Sequence, residues 1–262
     1  MNKKKIIHIA FILIIAFTAL KVNGMLLGNT TELSYKGILC YMIPSVIAMG
    51  LYLYYKKAHD LFFENSSRRR RYPLGSCYLI VAGMIFCILN ILSLETNALQ
   101  NFNGKVAGYL LGMCFLTGLF EEMIFRGLVQ TMVYQIFGNK KQYALLSVSI
   151  TSILFAISHL FNLIENPNFI LGTMTQVIYT FCLGMLLGVT YFISKSLILV
   201  IGLHGIFNFL GQFTMVYLPL EQTTGTDDIT IASMSIQLVV MLPCVMIAKK
   251  MMRSHIGNMD EI

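Results

Sequence analysis

The sequence predicts an all-α fold, a polytopic membrane protein of about eight transmembrane helices packed in one bundle. Hydrophobic residues make up 56% of the 262 residues and charged residues only 12%, against roughly 45–50% and about 25% in soluble domains. Several apolar runs reach the roughly 20 residues that a helix needs to cross a bilayer core. The connections between these runs are short, so we expect residues 1–262 to form a single membrane domain.

Apolar runs of spanning length begin after the N-terminal lysines and recur along the chain. The first run lacks a small-residue cleavage site, so we expect a retained span rather than a signal peptide. The spacing of Gly108 and Gly112, and of Gly184 and Gly188, is typical of helices that approach each other closely. The eight predicted spans are 6–22, 37–55, 77–94, 107–129, 143–163, 171–193, 196–217 and 230–248.

Basic residues cluster at alternate ends of these runs, which predicts the orientation of the chain. With the N-terminus in the cytoplasm, the cytoplasmic side receives Lys3 to Lys5, Lys56, Lys57, Arg68 to Arg71, Lys140, Lys141, Lys195, Lys249, Lys250 and Arg253. The opposite connections carry the acidic residues Glu32, Glu95, Glu165, Glu221, Asp227 and Asp228. An even number of spans then places both termini in the cytoplasm. The net charge of +7 therefore reflects the orientation of the chain in the membrane and does not indicate nucleic-acid binding.

Few strongly polar side chains lie deep within the predicted spans. Placing an ionised group there costs roughly 2.5–3.5 kcal/mol of insertion free energy, so each such group is expected to have a compensating partner or a functional role. The deep polar residues are Glu121, Glu122 and Arg126 on the fourth span, His159 on the fifth, and His204 and Asn208 on the seventh.

Helical spacing separates these residues into groups. Glu122 and Arg126 are four residues apart and can pair on one helical face. Glu121 is rotated by about 100° from Glu122, so it needs a partner on another helix, for which His159 and His204 are candidates. A carboxylate beside an imidazole in a desolvated site can act as a general base on water.

The side chains of His204 and Asn208 are four residues apart, on one face of the seventh span. Their hydrogen-bond donors could stabilise the oxyanion that forms when water adds to a peptide carbonyl. Taken singly, His159, His204 and Asn208 are each explained better by an interhelical hydrogen bond than by catalysis, and the pair of Glu122 and Arg126 is explained better by a structural ion pair. Their coincidence on three spans is what indicates a site.

Three motifs occur in order on these spans: Glu-Glu-x-x-x-Arg, Phe-x-x-x-His starting at Phe155, and His-x-x-x-Asn. This pattern, over about residues 107–215, resembles the CPBP family of CAAX-type prenyl endopeptidases and bacteriocin-processing proteins. The resemblance implies an intramembrane endopeptidase with its catalytic core in that segment. It also implies that Glu121 and His159 activate water, and that His204 and Asn208 stabilise the oxyanion.

The sequence leaves open whether the site binds a metal, because Glu121, His159 and His204 have the ligand types of a catalytic zinc site. No His-Glu-x-x-His helix is present, however. All four aspartates lie in connections or tails, which excludes a two-aspartate mechanism. Ser152 and Ser158 share a span with His159, but no strained serine elbow surrounds them.

The expected partners are the lipid bilayer and a membrane-embedded, lipidated or amphipathic peptide or protein substrate, with no nucleic acid. The expected location is a bacterial cell membrane, and nothing in the sequence indicates an oligomeric state. The alternative function is a non-catalytic membrane scaffold, or a bacteriocin-immunity or regulatory protein, that retains the same polar residues. A small transporter is the third hypothesis, but the sequence has no inverted repeat to support it.

Overall fold

The computed structural model describes residues 3–27, 34–59, 72–165, 167–217 and 231–260. Every regular element within those ranges is a helix, which confirms the all-α prediction. Some residues used to predict the topology and mechanism lie outside the described residues, namely Glu32, Asp60, Arg68 to Arg71, Glu221, Asp227 and Asp228.

The described ranges form ten α-helices joined by shorter helical turns. The α-helices are α1 (Lys3–Leu27), α2 (Tyr35–His59), α3 (Tyr78–Leu92), α4 (Gly104–Glu122), α5 (Thr131–Ile136), α6 (Ala144–Ser158), α7 (Asn162–Glu165), α8 (Ile170–Ser194), α9 (Leu197–Gly211) and α10 (Ile231–Asp260). A π-helix, Met123–Gln130, joins α4 to α5. The 3₁₀ turns are Leu74–Cys77, Ala98–Asn101, Lys141–Tyr143, His159–Phe161 and Phe213–Tyr217.

Six helical stretches of the described chain are long and apolar enough to cross a membrane. They are Tyr35–Lys57, Leu74–Leu92, Gly104–Ile136, Lys141–Ile164, Ile170–Ser194 and Ile231–Gly257. The protein is therefore an integral membrane protein, but the predicted count of eight spans is not confirmed. α9 is apolar with only 15 residues, so it rises about 22 Å against a hydrocarbon core of about 30 Å. α1 has 25 residues and is not among the six.

α8 lies at the centre of the bundle, where it packs against α6, α9 and α10. Its glycines allow the close approach that their spacing predicted. A Cβ atom on Gly184 would lie 3.1 Å from Cβ of Ser152, and one on Gly188 would lie 2.8 Å from Cγ1 of Val148. Because both residues lack a side chain, Ser152 and Val148 of α6 pack directly against the backbone of α8.

The two ends of the bundle are identified by contacts at the two ends of the long helical stretch Gly104–Ile136. At one end, which we call the basic end, Lys5 Nζ of α1 donates a 2.8 Å hydrogen bond to Gln135 Oε1 of α5. At the opposite end, Asn90 Nδ2 of α3 donates to the carbonyl oxygen of Gly211 at the end of α9, at 2.9 Å. The backbone N–H of Asn103, at the start of that stretch, donates to the carbonyl oxygen of Val216 just after α9 at 3.0 Å, whereas Gln135 lies at its other end. The lysine-rich start of α1 and the last turns of α3 and α9 therefore lie at opposite ends of the bundle.

Candidate active site

The first motif lies where α4 changes into the π-helix. Glu121 and Glu122 are the last two residues of α4, and Arg126 belongs to the π-helix Met123–Gln130. All eight residues of that π-helix are buried. π-Helical turns are rare and occur frequently at functional sites. The unusual backbone thus coincides with the residues that the sequence singles out.

His204 of α9 contacts both glutamates. Its Nδ1 lies 2.8 Å from Oε1 of Glu122, and its Nε2 lies 3.5 Å from Oε2 of Glu121. An ionised carboxylate only accepts hydrogen bonds, so the ring donates its Nδ1–H to Glu122. His204 was one of the two predicted partners of Glu121, and the structure brings them together. The contact with Glu122 is additional to the prediction, in which Glu122 pairs with Arg126 alone.

The predicted pair of Glu122 and Arg126 is present. Arg126 Nη1 lies 3.1 Å from Oε1 of Glu122, an ion-pair distance whose angle falls outside hydrogen-bond geometry. The guanidinium also donates from Nη2 to the carbonyl oxygen of Gly184 at 3.4 Å. One helical turn later, Gln130 Nε2 donates to the carbonyl oxygen of Gly188 at 3.0 Å. The π-helix is therefore attached to α8 through two side chains.

The two glutamates differ in their access to solvent or substrate. The side chain of Glu122 is 0% exposed and that of Arg126 is 1% exposed, whereas the side chain of Glu121 is 18% exposed. A buried ion pair of this kind fixes geometry, since neither charge can reach a reacting molecule. Glu121 is thus the carboxylate that a water molecule or a substrate can approach.

A glycine allows α9 to approach the glutamates. A Cβ atom on Gly118 would lie 3.2 Å from the carbonyl oxygen of Ile201 and 3.5 Å from Cβ of His204. α4 and α9 are therefore in backbone contact one turn before Glu122. The predicted pair of Gly108 and Gly112 on the same helix contributes less, because only Gly112 has a neighbour within 4 Å on the described chain.

His159 lies at the end of α6, close to the other motifs but not in contact with Glu121. Its Nδ1 lies 3.0 Å from the carbonyl oxygen of Phe155, to which it donates in the neutral ring. The ring of Phe155 lies 5.1 Å from the ring of His159 and 6.1 Å from that of His204, centroid to centroid, with both pairs T-shaped. The Arg126 guanidinium carbon lies 4.6 Å from the Phe155 centroid. Phe155 thus contacts all three motifs.

Asn208 is half-buried, one turn after His204 on α9. Its side chain lines a cavity of about 460 Å³ between α3, α8, α9 and α10. Tyr179 of α8 lines the same cavity and lies within electrostatic reach of Glu121. The sequence prediction missed Tyr179, since a single tyrosine in an apolar helix carries no signal of its own. The third motif thus borders the cavity through Asn208.

The predicted metal ligands do not form a metal site in this arrangement. No three histidine, cysteine, aspartate or glutamate side chains of the described residues converge as a ligand set. Both ring nitrogens of His204 face carboxylates, and Nδ1 of His159 faces a backbone carbonyl. Because Glu121, His159 and His204 do not converge, we derive no step through a metal.

Comparison with known proteins gives one family. No curated protein and no solved structure matches the chain. A family model described as type II CAAX prenyl endopeptidase Rce1-like matches residues 103–210, which include α4, the π-helix and all three motifs. This match confirms the family resemblance predicted from the motifs. Residues 103–210 of this chain are therefore similar to the Rce1-like family of type II CAAX prenyl endopeptidases.

Proposed function

We propose that this protein is an intramembrane endopeptidase that hydrolyses a peptide bond in a membrane-associated protein or peptide, with Glu121 as the general base. The family supports the protease class. One observation carries the assignment. His204 contacts both Glu121 and Glu122, but the side chain of Glu121 is 18% exposed and that of Glu122 is 0% exposed. The catalytic core would lie within residues 107–215 of a single membrane domain.

Arg126, Glu122, His204 and Glu121 form one connected group of side chains. Arg126 and Glu122 compensate each other, and Glu122 keeps the hydrogen of His204 on Nδ1. Nε2 of His204 lies 3.5 Å from Oε2 of Glu121, so the ring is placed to orient that carboxylate. As the general base, Glu121 would act as a carboxylate, the form that can take a proton from water.

In the proposed reaction Glu121 removes a proton from water, and the water oxygen bonds to the scissile carbonyl carbon. The carbon–nitrogen bond then breaks as the proton passes to the leaving amine. Asn208 would donate its side-chain N–H to the oxyanion from the cavity wall. Both ring nitrogens of His204 face carboxylates, so we reassign His204 from the oxyanion to the orientation of Glu121. His159 would orient the water through Nε2, since its Nδ1 faces Phe155.

The proposed substrates are lipidated, amphipathic or membrane-spanning polypeptides, because the candidate site lies within a membrane bundle. The proposed location is a bacterial cell membrane, with both termini of the chain in the cytoplasm. The contact of Lys5 with Gln135, five residues before Lys140, supports a common end for the lysines of α1 and those that follow α5. By the positive-inside rule this end would face the cytoplasm.

The test is cleavage of a pool of membrane-associated precursor peptides by the purified protein in lipid nanodiscs, read by mass spectrometry. We expect Glu121→Gln to lower the cleavage rate by about 10²–10⁴-fold, the usual contribution of a general base, while the thermal unfolding curve stays unchanged. Glu95→Gln, which neutralises an exposed carboxylate between α3 and α4, serves as the matched control and should cleave normally. Cleavage by Glu121→Gln at the wild-type rate would overturn the assignment of the base. A folded wild type that cuts no peptide would count against the protease.

A further inference from the structure

Gln130 is a buried polar residue of the π-helix that has no part in the reaction described above. Its side chain is 1% exposed and follows Arg126 by four residues. Nε2 of Gln130 donates to the carbonyl oxygen of Gly188 at 3.0 Å, whereas the buried Oε1 has no hydrogen-bond partner among the described residues. A buried amide that uses only part of its hydrogen-bonding capacity calls for a physical reason.

Stability explains this amide poorly. A buried polar atom without a partner costs free energy that an apolar side chain of the same size would not cost. Gly188 lies inside α8, where its carbonyl oxygen also accepts the backbone N–H four residues later. The bond from Gln130 is therefore not needed to satisfy α8, and an apolar residue at position 130 would leave the Gly188 carbonyl paired.

We infer that Gln130 is a positioning residue for the proposed reaction, because it fixes the register of the π-helix against α8 and thereby the place of the two glutamates. The inference rests on the proposed protease function and adds a residue to the same site. Gln130 follows Glu122 by eight residues, which is about 12 Å along a helix axis. It therefore acts through its neighbours and does not touch the reacting atoms.

Two side chains of the π-helix contact two carbonyl oxygens of α8 with the same spacing. Arg126 Nη2 donates to Gly184 at 3.4 Å, and Gln130 Nε2 donates to Gly188 at 3.0 Å. The two donors are four residues apart, and so are the two acceptors. One contact alone would allow the π-helix to pivot, but two matched contacts define its register. A shift by one residue would break both bonds together.

Gly188 provides the space that the amide of Gln130 occupies. A Cβ atom on Gly188 would lie 2.9 Å from Oε1 of Gln130 and 2.8 Å from Cγ1 of Val148 in α6. The amide thus packs against the backbone of α8, with a side chain of α6 close by. Such a contact has little freedom to slip, as a contact that sets a register requires.

The register reaches the glutamates through a chain of contacts. Arg126 Nη1 lies 3.1 Å from Oε1 of Glu122, and Thr131 Oγ1 donates to the backbone carbonyl oxygen of Arg126 at 3.3 Å. Nδ1 of His204 lies 2.8 Å from the same oxygen of Glu122. Its Nε2 lies 3.5 Å from Oε2 of Glu121. A displaced π-helix would therefore move Arg126 and Glu122, and with them the ring that faces Glu121.

The experiment compares the full-length wild type with Gln130→Met and Gln130→His in lipid nanodiscs. Methionine is of similar size but has no N–H donor, whereas a neutral histidine ring can place its Nε2–H where the amide has its own. With a peptide that the wild type cleaves, we expect Gln130→Met to lower kcat about tenfold or more, since a small misplacement of reacting groups is costly. KM should change much less, and the unfolding temperature should stay the same or rise. Gln130→His should keep most of the wild-type kcat.

Gln135→Met is the matched control. The side chain of Gln135 also makes a hydrogen bond, but its partner is Lys5 of α1 and not the backbone of α8. Loss of that bond should leave kcat unchanged. Three results would each overturn the positioning role: a wild-type kcat in Gln130→Met, an equal loss of kcat in Gln135→Met, or a loss of kcat that accompanies a lower unfolding temperature.

A chemical probe reads the position of the glutamates without catalysis. Dicyclohexylcarbodiimide modifies carboxyl groups that it can reach, and tandem mass spectrometry assigns the modification to Glu121 or Glu122. In the wild type and in Gln130→His we expect modification of Glu121 and protection of Glu122, because their side chains are 18% and 0% exposed. In Gln130→Met the ratio of Glu121 to Glu122 modification should fall clearly, whereas Gln135→Met should keep the wild-type ratio.

The two readouts separate this inference from the proposed function. A wild type that cuts no peptide, with a modification ratio that still depends on Gln130, would keep the positioning role and remove the protease. A wild type that cleaves, with kcat and the modification ratio unchanged in Gln130→Met, would keep the protease and remove the positioning role.

Discussion

Nδ1 of His204 lies 2.8 Å from Oε1 of Glu122, and this contact fixes the ring so that its Nε2 faces Glu121. The buried glutamate therefore acts on the accessible one through the histidine between them. Glu121 and Glu122 therefore have different roles. Glu122 is held by Arg126 and His204, whereas the side chain of Glu121 is 18% exposed. The predictions below test how the surrounding residues maintain it.

The buried pair of Glu122 and Arg126 should show strong coupling in stability. Removing one partner of a buried pair leaves an uncompensated charge, which costs about 3–5 kcal/mol. We expect Glu122→Gln and Arg126→Gln each to lower the thermal unfolding temperature clearly. The double variant should recover part of the loss, because both charges are gone. Losses that simply add in the double variant would show that the two side chains act independently.

The ring of Phe155 should contribute to activity more than to folding. It lies against Arg126, His159 and His204, so its removal loosens three motif residues at once. We expect Phe155→Leu to lower kcat at least tenfold, with a smaller change in KM. Phe137→Leu is the control, since Phe137 packs against Tyr143 at the end of α5. If both variants lower kcat equally, the effect is general destabilisation.

Gly118 should be sensitive to the smallest side chain. A Cβ there would lie 3.2 Å from the Ile201 carbonyl oxygen, so α9 must shift and carry His204 away from Glu121. We expect Gly118→Ala to reduce cleavage about tenfold and to lower the unfolding temperature. Gly108→Ala on the same helix meets no described atom within 4 Å, and it should be neutral or stabilise α4 by about 0.5–1 kcal/mol. Similar behaviour of the two variants would contradict a packing role for Gly118.

Lys195, which follows α8, should give the protein a pH-dependent stability. Burial lowers the pKa of this ammonium group from 10.5 to about 7. Between those values the unfolded chain binds more protons than the folded chain, so stability rises with pH across that window. We expect the free energy of unfolding to increase from pH 7 to pH 9, by on the order of 1 kcal/mol per pH unit at most, and the unfolding temperature to rise with it.

Lys195→Gln removes the titrating group and should flatten that pH dependence and raise the unfolding temperature at pH 7. The exposed Lys105 provides the matched control, and Lys105→Gln should keep the wild-type slope. Parallel curves for wild type and Lys195→Gln would show that Lys195 is not the group responsible.

The sequence by itself determined the features that depend on neighbours along one helix. The 3.6-residue period places Glu122 beside Arg126, and their ion pair is present. The small-residue spacing of Gly184 and Gly188 predicted close packing, which both glycines show. The order of the three motifs predicted the family match over residues 103–210.

Only the tertiary structure decided what depends on how separate helices meet. His204 was one of two candidate partners for Glu121, and helical period could not choose between it and His159. The contact of His204 with Glu122, and the cavity beside Asn208, arise from the packing of α9 against its neighbours. Hydropathy also extended the seventh span to residue 217, whereas α9 ends at Gly211 and a 3₁₀ turn follows. Apolar composition measures the preference for lipid, but the contacts between helices set where each one ends and which side chains it brings together.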